Sequence, residues 1–181
     1  MAALIESPLK HMNNTKQSYI GYWMLAIFAI VLDQISKQVI IKNFQEYERV
    51  NIIPNFFDLT RAHNTGAAFS FLADAGGWQK FFFIGLAIAI CGYLAWEITR
   101  NQFGKLGKIG ASMIIGGAIG NVIDRFQHGH VIDYFLFYWQ SWHYPAFNVA
   151  DSFIVVGAAL LIVDGFKNSN KKTAQEQHVT H

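Results

Sequence analysis

Charge is scarce in this sequence: Asp, Glu, Lys and Arg together make up 14% of its 181 residues, where a soluble domain carries about 25%. That deficit excludes an ordinary water-facing surface and points to lipid as the solvent. No run of five or more basic residues occurs and the net charge is only +2, so the electrostatic footprint of a nucleic-acid partner is missing. A single cysteine, Cys91, lies inside an apolar run. It cannot form an intrachain disulfide, and it reads as a buried, inert thiol. The first apolar run lacks a small-x-small cleavage site and is long, so it reads as an anchor that stays and not as a removed leader.

Several catalytic signatures are also missing. There is no His-Glu-x-x-His, so a zinc protease lacks its ligands. His128, His130 and His143 are a weak alternative ligand set, because histidine is common at a membrane interface. Asp-Thr-Gly and Asp-Ser-Gly do not occur, which excludes a pepsin-like fold, and the absence of Gly-x-Gly-Asp argues against the presenilin type. Ser112 in Gly110-Ala-Ser-Met113 superficially suits an intramembrane serine protease. Its histidine partner belongs on another span, and the first, second and fourth carry none. No metal and no organic cofactor is expected.

What is present is hydrophobic length. A bilayer-crossing helix needs about 20 mostly apolar residues, and four segments qualify or nearly do: 19–41, 78–98, 108–123 and 146–166. Trp23, Trp78, Trp96 and Trp139 lie near their predicted ends, as interfacial aromatic belts require. The predicted organisation is one membrane domain, with tails at 1–18 and 167–181 and an outer loop over 42–77. Lysine and arginine set the orientation. Lys10 and Lys16, then Arg100, Lys105 and Lys108, then Lys167, Lys171 and Lys172 all fall on one side of a four-helix path. On the other side Lys42, Arg49 and Arg61 are balanced by Glu46, Glu48, Asp58 and Asp74. The positive-inside rule then puts both termini in the cytoplasm. The outer loop is long for a plain connection. Its β-branched and aromatic stretch at 50–60 reads as short, imperfect strands broken by Pro54, followed by an interfacial stretch around 67–72. The tail after Lys167 reads as polar and disordered.

Ionisable residues inside a membrane are costly and are functional candidates by default. Asp33 and Lys37, four apart, share a helix face. They form either a structural ion pair, with Lys37 snorkelling to the interface, or a headgroup contact. Asn121, Asp124 and Arg125 close the third span, where Asp124 suits a scaffold and Arg125 suits a carboxylate or a lipid phosphate. Asp133 and Asp151 fall on the same side at the same depth, with Asn148 one turn before Asp151. Two carboxylates held together cannot both ionise cheaply, so such a pair offers an acid and a base at once. The plainer alternative is that each merely caps a local turn or helix. Gly116 and Gly120 make a G-x-x-x-G that permits close helix packing, and Gly66 permits a tight turn.

Four blocks in order resemble the bacterial lipoprotein signal peptidase (signal peptidase II) family: Asp33-Gln-Ile-Ser-Lys37, Asn64-Thr-Gly-Ala-Ala-Phe-Ser70, Gly116 to Arg125 followed by Val131-Ile-Asp133, and Phe147-Asn-Val-Ala-Asp151. The resemblance implies a polytopic α-helical membrane protein of four transmembrane helices, with a small extracytoplasmic β-cradle and an interfacial helix. It implies an aspartyl dyad of Asp133 and Asp151, surrounded by Asn64, Gly66, Ala67, Asn121, Asp124, Arg125, Asn148 and Ala150, with Asp33 and Lys37 in support. The implied substrate is a prolipoprotein carrying diacylglycerol on its lipobox cysteine, cut just before that cysteine by a monomer in the bacterial inner membrane, near its periplasmic face. Tyr134 stands where phenylalanine is common in that family. Two other readings compete: a small proton-coupled transporter relaying through Asp124, Asp133 and Asp151, and a non-catalytic assembly subunit held by glycine packing.

Overall fold

The computed structural model describes residues 6–66 and 77–179, with side chains over 19–66 and 77–168. The interfacial stretch expected at 67–72, and Ala67 with it, lie outside the described residues. In chain order the elements are α1 (Glu6–Asn43), β1 (Arg49–Ile53), β2 (Phe57–Asn64), α2 (Gln79–Thr99), α3 (Lys105–His128), β3 (Val131–Trp139), β4 (Trp142–His143) and α4 (Val149–Val179). Each of the four helices contains a segment long and apolar enough to cross a membrane: Tyr19–Asn43, Gln79–Thr99, Lys105–His128 and Val149–Asn168. Large apolar side chains such as Ile27, Phe81 and Val155 point outward from them, more than half exposed. Lipid is the solvent that accepts such a surface.

Helix α3 is the axle. It packs against α1, α2 and α4, and 56% of its span is buried inside the protein, against 17–28% for the other three. Its glycines make this possible. A Cβ on Gly116 would come within 2.6 Å of the Ala26 carbonyl of α1. One on Gly117 would strike the Ala150 carbonyl of α4, and one on Gly110 would meet the Gly157 carbonyl at 2.5 Å. Backbone therefore lies on backbone, the contact that small residues permit where no hydrophobic effect drives helices together. Gly129 ends α3 in the left-handed region at φ 81°, its amide returning to the Arg125 carbonyl, as helix-terminating glycines do.

The four strands form one antiparallel sheet in the order β1-β2-β3-β4. Strands β1 and β2 overlap the stretch at 50–60 read as imperfect strands, with β2 running on to Asn64, and they turn at Pro54-Asn55 with Asn55 at φ 60°. The register shifts between Asn51 and Ile53 and again between Leu59 and Ala62. Asp58 is buried and holds the edge strand through Arg49 and Asn51, so it is a structural residue. Strand β3, VIDYFLFYW, was not anticipated. Its aromatic and β-branched run is a strand signal in its own right. The tail also differs from expectation, since the α4 backbone stays helical to Val179. Beyond Gly165 the chain has neither Gly nor Pro to stop it and carries helix-tolerant Lys, Gln and Glu.

Candidate active site

The first turn of α4 explains much of the local geometry. The leading amides of a helix have no partner within it. Here each finds a side chain. Asn148 caps the helix: its Oδ1 accepts from the Asp151 amide at 2.9 Å, while Asp151 Oδ2 accepts from the Asn148 amide at 3.2 Å. This is a reciprocal cap. The Ala150 amide donates to Asp33 Oδ1 at 2.9 Å, and the Val149 amide to the Tyr134 hydroxyl at 3.3 Å. Asp151 is thus fixed by the same bonds that start its helix.

Asp133 reaches the same point from β3. Its Oδ1 accepts from Asn148 Nδ2 at 2.7 Å and its Oδ2 from Asn64 Nδ2 at 2.8 Å. Asn148 therefore touches both carboxylates, one through its side chain and one through its backbone. Asn64 is aimed by a tight turn in which the Gly66 amide donates to Asn64 Oδ1 at 2.8 Å. Gly66 stands at φ 101°, and a Cβ there would run into the Phe83 ring, so only glycine fits. Asp133 is 2% exposed. Burial, and then the neighbouring Asp151 carboxylate, push its pKa up to about 7 against the opposing hydrogen bonds from Asn64 and Asn148. A carboxyl so placed is half protonated near neutral pH, beside one that can serve as its conjugate partner.

Behind the pair lies a buried ionic cluster. Lys37, 1% exposed, sends its ammonium to Asp33 Oδ2 at 2.8 Å, Asp124 Oδ2 at 2.8 Å and Asn121 Oδ1 at 2.9 Å. All three of its protons are used. It does not snorkel, because two carboxylates and an amide converge on it inside the bundle. Asn121 passes the connection on, its Nδ2 donating to Asp151 Oδ1 at 2.8 Å. Asp124 is occupied by Lys37, by Gln34 Nε2 at 2.9 Å and by the Ile132 amide at 3.1 Å. Arg125 lies 5.0 Å over the Phe83 ring and donates to the Asn121 carbonyl at 3.3 Å. Among the described residues no carboxylate lies within ion-pair distance of it. Ala150 is fully buried with its carbonyl against Gly117.

The structure thus brings Asp33, Lys37, Asn64, Asn121, Asp124, Asp133, Asn148 and Asp151 into one hydrogen-bonded network, with Gly66, Arg125 and Ala150 alongside. Reading the sequence did not single out Gln34, Ser36 or the Tyr134 hydroxyl. Their place between Asp33 and Lys37, in the polar stretch of an apolar span, was the available signal for the first two. The three histidines do not all gather: His128 lies 6.1 Å from His130, which stacks on His63 at 3.9 Å, whereas His143 stacks on Tyr138 of the β3–β4 hairpin.

Two apolar clefts open by the network, one at Asp151 and one at Asn121 and Arg125. One of about 520 Å³ is walled by Phe137, Trp142, Tyr144 and Phe147 and by Val155 and Val156 of α4, with Asp151 at its rim. The other, about 180 Å³, runs between α2 and α3 along Phe83, Leu86, Ile90 and Ala118 to Asn121 and Arg125. The arrangement is suited to acid–base chemistry on a substrate with apolar parts on both sides of its reacting bond.

Comparison with known proteins agrees with this chemistry. The family model described as signal peptidase (SPase) II matches residues 25–167. A protein of Neisseria gonorrhoeae named lipoprotein signal peptidase is 60% identical over 164 residues, covering 90% of this chain and all of that one. The protein of the same name from Actinobacillus succinogenes is 52% identical over 163 residues, covering 90% of this chain and 99% of its own. A solved bacterial membrane enzyme superposes with a TM-score of 0.74 at 27% identity, covering 84% of this chain and 91% of that one.

Proposed function

The chain belongs to the signal peptidase II family, and on that premise we propose that it is an aspartyl endopeptidase that removes the signal peptide from diacylglyceryl-modified prolipoproteins, cutting just before the lipidated cysteine. The observation that carries the assignment is the sharing of Asn148 by Asp133 and Asp151, with Asp133 held near its proton at neutral pH. In this reading a water lies between the carboxylates. The ionised one takes a proton from the water as it attacks the scissile carbonyl. The protonated one donates toward the carbonyl oxygen, and the proton later goes to the leaving amine. Asn64, Asn121 and Asn148 orient the pair, and Lys37 with Asp33 and Asp124 holds Asn121. No metal or organic cofactor takes part.

The expected location is the bacterial inner membrane, with both termini cytoplasmic and the carboxylates near the periplasmic face, the depth at which a bond beside a lipid-anchored residue lies. The protein is expected to act as a monomer. A transporter relay through Asp124 is not supported, since Lys37, Gln34 and a backbone amide already occupy that carboxylate.

Single-turnover cleavage of a diacylated precursor tests the assignment. Asparagine fits the space of aspartate but cannot exchange protons, and positioned acid–base groups contribute about 10²- to 10⁴-fold each. Asp133→Asn and Asp151→Asn are each expected to cut the rate at least about a hundredfold, with the double variant little worse because the pair acts as a unit. Glu97→Gln, at the far end of α2, is expected to leave it unchanged. A well-folded single variant retaining more than about a tenth of the rate would refute the mechanism. The same assay reads the lipid requirement. Each buried acyl CH₂ contributes about 0.8 kcal/mol, so a precursor with an unmodified cysteine is expected to be cut poorly, and equal rates for the two forms would remove the lipid from the reading.

A further inference from the structure

Tyr134 follows Asp133 on β3, so its side chain leaves the opposite face of the strand. The ring is 2% exposed and packs in a buried cluster with Ile40 and Ile132. Its hydroxyl sits among three elements. The Val149 amide of α4 donates to it at 3.3 Å, and Ser36 Oγ of α1 lies 2.6 Å away. Proton counting fixes the direction of the second bond. Ser36 has one hydroxyl proton, which it gives to the Asp33 carbonyl at 2.7 Å. Tyr134 must therefore donate to Ser36 and accept from Val149. A one-way chain runs from the α4 amide through Tyr134 and Ser36 to the Asp33 carbonyl. Alongside it, the Ala150 amide reaches Asp33 Oδ1 directly.

We propose that Tyr134 is a positioning residue for the cleavage reaction: its hydroxyl holds the start of α4 against β3 and α1, and so sets where Asp151 and Asn148 stand relative to Asp133. This rests on the aspartyl reading above. The lever is short. Val149 adjoins Asn148, whose side-chain amide donates to Asp133 Oδ1 at 2.7 Å and whose backbone amide meets Asp151 Oδ2 at 3.2 Å. Without the hydroxyl the Val149 amide loses its partner in a buried place, and the first turn is free to shift toward other acceptors. The Asn148 bond to Asp133 then lengthens. Because that bond favours the charged carboxylate, its weakening lets Asp133 keep its proton to higher pH.

Tyr134→Phe removes only the hydroxyl and keeps the packing. Phenylalanine is common here in the family, but in this chain Ser36 and the Val149 amide are arranged around a hydroxyl. So kcat for a diacylated precursor is expected to fall roughly tenfold relative to the wild type, with KM within about twofold. The alkaline limb of the kcat–pH profile is expected to move to higher pH. Ser36→Ala, which leaves the Val149 bond but removes the tyrosine's acceptor, is expected to move both readouts the same way by less, and the double variant to be no worse than Tyr134→Phe. If Tyr134→Phe fails to fold, Ser36→Ala carries the test alone. Unchanged kcat and an unmoved limb, or a lowered unfolding temperature as the sole effect, would overturn the proposal. The aspartyl reading is judged separately by the Asp133→Asn and Asp151→Asn rates.

Discussion

Asp133 and Lys37 show opposite ways of keeping an ionisable group in an apolar place. Lys37 is surrounded by oxygens, one for each donor of its side chain. Replacing Lys37 by an apolar residue would leave two buried carboxylates without their cation, a kind of change that costs about 3–5 kcal/mol in other buried pairs. Asp133 instead keeps a proton, its pKa raised from 3.8 to about 7 by burial and by Asp151. A carboxyl whose folded pKa lies above its unfolded value favours the folded state at low pH. That contribution is fully present below pH 3.8 and is lost as pH rises to about 7. The stability difference between the wild type and Asp133→Asn in thermal unfolding is therefore expected to shrink from about pH 4 to 7 and to be flat above. An identical slope in the variant would assign the titration to another group. At this scale the sequence was informative about identity and silent about partners. The depth and spacing of Asp133 and Asp151 were legible. That both would lean on Asn148, or that Lys37 would be sealed from water, depends on contacts between residues far apart in the chain.

At the level of elements, the helices were legible because lipid demands long apolar runs, and such runs are visible in a single sequence. Strand β3 was not. Its residues follow a helix directly and are apolar on both faces at first, so no alternation announces it; burial of Val131 through Tyr134 on both sides explains why. The end of the β2–β3 ladder carries a further titratable feature, the stack of His63 on His130. Glu46 and Tyr47 face it from the α1–β1 connection, Arg61 from β2, and His128 and Asp124 from α3. His63 Nε2 is sealed from solvent without a partner. Burial, followed for His130 by His63 itself, lowers both pKa values below the ordinary 6.5. Here the sign is reversed relative to Asp133. The unfolded chain binds protons more readily, so stability is complete above about pH 6.5 and falls as the pH drops below it. His63→Gln and His130→Gln are each expected to flatten that acid loss in unfolding scans. A slope unchanged in both would remove the stack from the account.

For the whole molecule, polarity is inverted relative to a soluble protein. The ionic cluster lies inside, the apolar side chains outside, and the glycine-lined α3 is enclosed by the other three helices. The proposed orientation has a direct check. Single cysteines at Asn13, Asn101 and Asn168, in a Cys91→Ala background, are expected to resist an impermeant thiol reagent in intact cells and to react once the membrane is opened. Ready labelling at Asn101 in intact cells would reverse the topology. The hydropathy pattern made the four spans the most legible part of the three scales, since it reports on solvent and not on specific partners.

The bond between the Ala150 amide and Asp33 joins residues 117 positions apart, the first spanning helix to the last. Asn148 and Asp151 also belong to the start of the final helix. A ribosome adding about 5 to 20 residues per second needs roughly 6 to 23 s to cover that interval. During it the growing chain gains Asn64, Asn121 and then Asp133, but not yet the second carboxylate or the asparagine that links the pair. On the proposed aspartyl reading the chain cannot cut until its last span has been made, so the end of synthesis is the step that arms it.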